Sequence, residues 1–444
     1  MHAAPVTWVS STREKPWQPM PAPEFLPSQQ PPEVCVHPAK TRQTIDGFGG
    51  CFNELGWVAL DKLPAAEKEK ALTALFDADG LAFNLGRIPI GASDFALDGY
   101  SLAMQADDYE LKSFSIDRDR EHLLPFIRAA IMRQPALKCW ASPWSPPAWM
   151  KTNNSYSRGS IKSDPKVLTA YADYFVKLID AYKEDGVKLY AVTPQNEPNI
   201  TNVYPTCHWS GPQLRDFIAD YMGPALKVKH PDIELWLGLN GDPISAGDNA
   251  NARLVPDLGD AKANGFLTGI AFQYDSRTQI ALAEQLYPNK KLMQSETECF
   301  NGANSWDDAL KLYQHMKRYL GHGASAYFAW NMVLDEGGMS TWKWKQNALI
   351  TADTKSGMAR LNGEYYVMRH FSHYIKPGAK RVLTSGVWDD QIGFVNPDGS
   401  AVIVVGNSAK NPLPVRITVS GKAGEALAVT LAPESVNTFV VTAK

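Results

Sequence analysis

The sequence predicts an α/β fold: a (β/α)8 TIM-type barrel with an attached β-sandwich domain formed from both chain termini. Three observations predict it. Eight short apolar runs alternate with helix-length amphipathic segments between residues 45 and 329, the pattern of parallel strands joined by crossover helices. After residue 377 the runs shorten and turn residues stand between them, the texture of antiparallel β structure. The first 40 residues carry too many prolines for helix interiors. The 444 residues accommodate a barrel of about 250 residues with an accessory unit. The division read from these shifts is 1–40 for N-terminal strands of the sandwich, 41–376 for the barrel and 377–444 for the C-terminal sandwich.

Taken in order, the N-terminal segment offers short β stretches at 7–10 and 33–37 between prolines. The barrel strands are predicted at 45–49, 83–90, 137–141, 189–193, 234–239, 269–273, 291–294 and 324–329. The clearest helix is Pro165–Glu184. Ser163 or Asp164 caps it and Pro165 opens it. Leu168, Tyr171, Phe175, Leu178, Ile179 and Tyr182 recur at helical spacing, and Gly186 ends it in a left-handed conformation. In the C-terminal part, β runs are predicted at 382–383, 391–395, 401–405, 415–419, 426–431 and 438–441. Asn396-Pro397-Asp398-Gly399, Asn407-Ser408 and the glycine pair at 421 and 424 are the turns between them. The N-terminal strands are expected to join this domain, since nothing in the barrel would bury them.

Composition narrows the function. A formal charge of −3 leaves no basic stripe for phosphates, so no nucleic-acid partner is expected. No apolar run reaches the ~18 residues of a membrane span. Cys35, Cys51, Cys139, Cys207 and Cys299 are odd in number and form no CxxC pair, so neither a disulfide framework nor a zinc site is indicated. No metal or cofactor is expected. Aromatics make up 11% of the chain, 13 of them tryptophans, and many follow predicted strands. Indoles there suit the apolar faces of sugar rings, although large cores use tryptophan too. The Met1-His2-Ala3-Ala4-Pro5 start has no charged or apolar leader region and reads as a mature terminus with a methionine restored, which gives the expectation of a secreted or periplasmic protein.

Two glutamates carry the chemistry. Glu197, in AVTPQNEP at 191–198, and Glu296, in LMQSETEC at 292–299, each follow a predicted barrel strand, where such barrels place their catalytic groups. A carboxylate pair is the minimum equipment for breaking a glycosidic bond. Glu197 is the candidate general acid, with Asn196 beside it to bind a neighbouring hydroxyl. Glu296 is the candidate nucleophile, with Glu298 its rival two residues on. A gap of about 5–5.5 Å between them gives retention, and about 6.5–9.5 Å gives inversion.

Other candidates surround this pair. The glycines of DGFGGCFNE at 46–54 follow the first strand and permit tight turns, and their spacing matches no phosphate-binding loop. Glu54 beyond them can bind sugar hydroxyls, or can simply favour a helix start. Trp144, in a proline-stiffened loop after strand three, reads as a sugar platform or a core indole. Arg87 lies within a buried strand and must be paired, with Glu296 or in a structural ion pair elsewhere. Gln273 and Tyr274 end strand six, Trp330 and Asn331 end strand eight, and Asp94 binds substrate or shapes a loop.

These motifs resemble glycoside hydrolase family 30, above all its glucosylceramidase-like branch. The text that carries the resemblance is DGFGGCFNE at 46–54, RIPIGASDF at 87–95, ASPWSPPAWMKTN at 141–153, YFVKLIDAY at 174–182, AVTPQNEP at 191–198 and SETEC at 295–299. YYVMRHFSHYIKPGAKRV at 365–382 resembles the family's return into its β domain. The resemblance implies retaining hydrolysis of β-glycosides without a metal, with Glu197 as acid/base and Glu296 as nucleophile. It implies Glu54 as a binder of distal sugar hydroxyls and Trp144 and Asn196 as subsite residues. The chain departs from the branch at Ala271-Phe272-Gln273-Tyr274, where a histidine and an aromatic are usual. The loop at 335–345 (DEGGMSTWKWK) adds two tryptophans of its own. The expectation is an exo-acting β-glucosidase on a carbohydrate substrate. An endo-β-1,6-glucanase or galactanase is the alternative, and a catalytically inactive carbohydrate-binding barrel is the alternative of another class.

Overall fold

The computed structural model describes residues 6–238, 258–274, 276–420 and 424–442. Its centre is a closed barrel of eight parallel strands: β1 (Gly47–Cys51), β2 (Leu85–Ile90), β3 (Lys138–Pro143), β4 (Leu189–Val192), β5 (Glu234–Gly238), β6 (Leu267–Gln273), β7 (Lys291–Glu296) and β8 (Ala324–Asn331). Closure is by β8 against β1, with Ala326 opposite Gly47 and Asn331 opposite Cys51. All eight predicted strands coincide with these, with ends displaced by a few residues. Leu239, at the end of the predicted fifth strand, lies outside the described residues. So do residues 421–423 of one predicted turn and 1–5 at the start.

One placement is corrected. The glycines at 47, 49 and 50 are inside β1, not after it. A β-carbon on Gly49 would sit 2.1 Å from the Leu85 carbonyl oxygen, and one on Gly50 2.3 Å from Met332 Cγ. The glycines are therefore required by how closely β1 is approached by its neighbours rather than by a turn. Within the barrel Leu85, Trp140, Ala191, Trp236, Ala271, Met293, Ala326 and Phe328 form an apolar plug, so the interior is a packed core and not a pore.

The helix Pro165–Glu184 has the predicted bounds. Asp164 caps it by accepting from the Lys166 N–H at 2.8 Å, and Gly186 follows its end at φ +83°. Its buried stripe includes Leu168, Tyr171, Phe175, Leu178 and Tyr182.

Both termini enter one ten-stranded sheet. Val6–Ser11 runs antiparallel to Ser435–Val441. Val34–Thr44 lies between Lys380–Ser385, antiparallel, and Leu413–Val419, parallel. Val34, Val36, Ile403, Val405, Ile417, Leu427 and Phe439 form a second apolar core there. This β-sandwich domain is fastened to the barrel's last helix, Gly363–Ser372. Buried His370 reaches Ser11 Oγ and Thr438 Oγ1, each at 2.8 Å. The N-terminal prolines thus lead into sheet strands, as their exclusion from helix requires. Among the described residues no helix is long and apolar enough to cross a membrane.

Candidate active site

The carboxyl ends of the barrel strands converge on a cavity of about 380 Å³. Glu296 is the last residue of β7. Glu197 stands five residues beyond β4, in a loop tied to β3 by the Asn196 N–H donating to the Pro143 carbonyl at 2.7 Å. Its own backbone is left-handed, φ +45°. A glutamate is rarely found there, and such strain gathers at functional sites, where surrounding contacts enforce it. Both side chains are buried and both line the same cavity, with Asp94, Trp144, Tyr204 and Tyr274.

Arg87 organises the floor. Its guanidinium donates from Nη1 to Glu296 Oε2 at 2.5 Å and from Nη2 to Asn196 Oδ1 at 2.7 Å. Nε donates to Ser142 Oγ at 3.1 Å. The cation lies among the rings of Trp140, Trp144 and Trp330, 4.6–5.4 Å from their centroids, which helps to offset its desolvation. Gln273 Nε2 donates to Glu296 Oε2 at 2.9 Å and to Asn196 Oδ1 at 2.6 Å. One amide and one guanidinium therefore hold the nucleophile candidate and Asn196 in one layer.

Glu197 is held by hydroxyls instead. Tyr274 donates to Oε1 and Tyr204 to Oε2, the latter at 2.8 Å. Tyr274 is fixed in turn: its N–H donates to the Glu296 carbonyl at 2.8 Å, and its carbonyl accepts from Tyr319 at 2.9 Å.

Burial raises the proton affinity of Glu197, Glu296 and Asp94. It pushes Glu197 above the ordinary range, against the pull of Tyr274, Tyr204 and Arg87. It pushes Glu296 up to about 7, with Arg87 opposing and the charge of Glu197 adding. Asp94 is driven well above the usual carboxylate range by burial and by the charges of Glu296 and Glu197.

The predicted residues fall into three groups. Glu197, Glu296, Trp144 and Tyr274 line the cavity. Arg87, Asn196, Gln273 and Trp330 stand behind them; Trp330 stacks on Trp144 at 5.0 Å and 28°. Glu54 does not line the cavity. It is buried in the helix start after β1, where Arg118 donates to both its oxygens and the Leu97 N–H donates to Oε2. The carboxyl that faces the cavity from that side is Asp94. Tyr204, Asn202, Phe300 and Gln346 also line it and were not anticipated. Tyr204 is seven residues from Glu197, and only the fold of its loop turns it back. Asn331, at the end of β8, binds Asn53 at 3.1 Å and Gln346 at 2.8 Å. Among the described residues no group of three or more His, Cys, Asp or Glu side chains could hold a metal ion.

Paired carboxylates over a single cavity are what glycosidic cleavage requires, and the class that this barrel and this pair define is that of the glycosidases. Residues 45–375 match the glycosyl hydrolase family 30 TIM-barrel domain and residues 378–439 match the family's β-sandwich domain. The chain belongs to glycosyl hydrolase family 30. It is 30% identical to a lysosomal acid glucosylceramidase of Mus musculus over 417 residues, 87% of this chain and 79% of the relative. It is 28% identical to an endo-1,6-β-D-glucanase of Neurospora crassa over 431 residues, 91% and 87% of the two chains. Among solved structures it is similar to SrfJ from Salmonella typhimurium, with a TM-score of 0.91 and 28% identity over 99% of this chain and 100% of that one. An endo-β1,6-glucanase structure gives 0.87 and 26%, with the same coverage.

Proposed function

We propose that the protein is a retaining β-glycosidase that transfers a glucosyl unit from a β-glucoside to water. Glu197 protonates the leaving oxygen while Glu296 attacks the anomeric carbon. The glycosyl–Glu296 ester is then hydrolysed by a water that Glu197, now a base, deprotonates. The observation that carries this reading is the difference between the partners of the two carboxyls. The Arg87 guanidinium is a permanent cation that can only donate, and the Gln273 amide turns its N–H to the same oxygen, so Glu296 is surrounded in a way that favours its anion. Tyrosine hydroxyls also accept, so Glu197 keeps satisfied partners when it is protonated. The proton held by the buried pair near neutral pH therefore rests on Glu197, the arrangement a first step of acid catalysis needs.

Asp94 takes the hydroxyl-binding role that the motif resemblance gave to Glu54. It faces the cavity, and Glu54 is engaged elsewhere. Glucose as the transferred unit is supported by the names of both kinds of relative, glucosylceramidase and glucanase. Exo action is the reading favoured by the similarity to the glucosylceramidase. A second reading, internal cleavage of a β-1,6-glucan, is favoured by the similarity to the two endo-acting enzymes. Digestion of β-1,6-linked gluco-oligosaccharides of increasing length decides between them. Glucose as the sole early product supports exo action, and early products of mixed length support the endo reading. Failure to cleave any aryl β-glucoside or β-gluco-oligosaccharide would overturn both.

A further inference from the structure

The two hydroxyls on Glu197 are supported unequally. Tyr274 is anchored by main-chain hydrogen bonds on both sides. Tyr204 lies in the loop after Glu197, and its ring meets the edge of Trp344, with centroids 4.6 Å apart and planes at 78°. Trp344 belongs to the loop that follows β8, far along the chain. That loop is closed on itself: the Ser340 N–H donates to the Trp344 carbonyl at 2.8 Å, and the Gln346 N–H to the Gly338 carbonyl at 2.9 Å. Thr341 Oγ1 donates to the Ala96 carbonyl and pins the loop to the segment after β2. The Trp344 indole N–H is buried and has no hydrogen-bond partner among the described residues, so ring contacts hold the indole in place. Trp344 and Tyr204 both line the cavity, together with Asn202, and it is the Tyr204 hydroxyl that holds Glu197 Oε2.

We propose that Trp344 is a positioning residue for acid catalysis: it walls the leaving-group side of the cavity and, through Tyr204, aims the carboxyl of Glu197 at the departing oxygen. The inference rests on the reading of Glu197 as the acid. A phenol ring without that edge contact is free to turn about its side-chain bonds, and its hydroxyl then leaves Oε2. A leaving group seated against the indole would press the same contact, so occupation of this side and alignment of the acid go together.

The experiment compares wild type, Trp344→Ala, Trp344→Phe and Glu197→Ala on aryl β-glucosides whose leaving groups span a wide range of acidity, with thermal unfolding as the check on folding. Leaving groups that need protonation are the ones that acid catalysis serves, and it contributes about 10²–10⁴-fold. Trp344→Ala is expected to lose about 10-fold in kcat/KM on the least acidic leaving group, a fraction of that contribution, and to change little on 2,4-dinitrophenyl β-glucoside. Trp344→Phe, which keeps a ring edge, is expected to recover most of the loss. An equal loss across the series would make the indole a binding wall only and overturn the inference, as would no loss at all. The Glu197→Ala series separates the two levels. If it shows no dependence on the leaving group, the assignment of the acid fails; if it does and Trp344→Ala does not, only the inference fails.

Discussion

Replacing Arg87 by methionine removes the cation paired with Glu296 and leaves a shorter, apolar side chain. The magnitude follows from the geometry. The guanidinium is 1% exposed and its Nη1 is 2.5 Å from Glu296 Oε2. A unit charge at this kind of distance is worth about 4 kcal/mol at an effective dielectric of 20, or about three pH units of proton affinity. Burial and the charge of Glu197 already work against ionisation of Glu296 with Arg87 in place. Without it the carboxylate takes up a proton, and the nucleophile at pH 7 becomes a minor species. The expected loss in kcat/KM is about 10²–10³-fold at neutral pH. Breaking a buried pair also destabilises the fold by about 3–5 kcal/mol, so the assay is run on protein shown to be folded by its thermal transition. Arg87→Lys restores a charge but not the fork to Asn196, and it is expected to fall between the two. A folded Arg87→Met protein with kcat/KM within a few-fold of wild type would refute the claim that this cation keeps Glu296 ionised.

Asp94 and Glu54 make a paired test. Asp94→Ala should lose about 2–10-fold in kcat/KM, the worth of a neutral hydrogen bond, since burial and the two glutamates oppose ionisation of this carboxyl, with little change in thermal stability. Glu54→Gln should lose stability through its broken pair with Arg118 and keep kcat/KM nearly unchanged when folded. Reversed outcomes would return the hydroxyl-binding role to Glu54. His370 supplies a pH test of the domain junction. Burial and the neighbouring Arg369 push it down to about 3 from an ordinary 6.5. The folded state thus disfavours a proton that the unfolded chain accepts. The stability it contributes is full above pH 6.5 and is lost as pH falls toward about 3. The melting temperature of wild type should therefore fall across that window more steeply than that of His370→Gln, and equal slopes would remove His370 from the account.

Much of the fold could be read from the chain because parallel strands buried on both faces are continuous apolar runs. Helices with a proline start and a glycine stop are similarly plain, and Pro165–Glu184 was legible to the residue. The β1 glycines were harder. Whether a glycine marks a turn or a close approach depends on what lies opposite, here Leu85 and Met332, and the local text does not contain that. The same limit applied at the site. Glu197, Glu296 and Arg87 were legible because carboxylates at strand ends and a cation inside a strand are chemically out of place without a partner. Asp94 rather than Glu54 faces the cavity, and the chain did not show this because availability of a carboxylate is a long-range property. The partner that occupies Glu54 is Arg118, 64 residues away. Tyr204 and Trp344 belong to different loops and become meaningful only in contact.

In the proposed mechanism Glu296 becomes covalently glycosylated while Glu197 manages the proton. Incubation with a 2-deoxy-2-fluoro-β-glucoside bearing a good leaving group, followed by peptide mass spectrometry, tests it most directly. Stoichiometric labelling of the peptide containing Glu296 is expected, with the sugar on that residue. A label on Glu298, or turnover of substrate with no label on any glutamate, would contradict it.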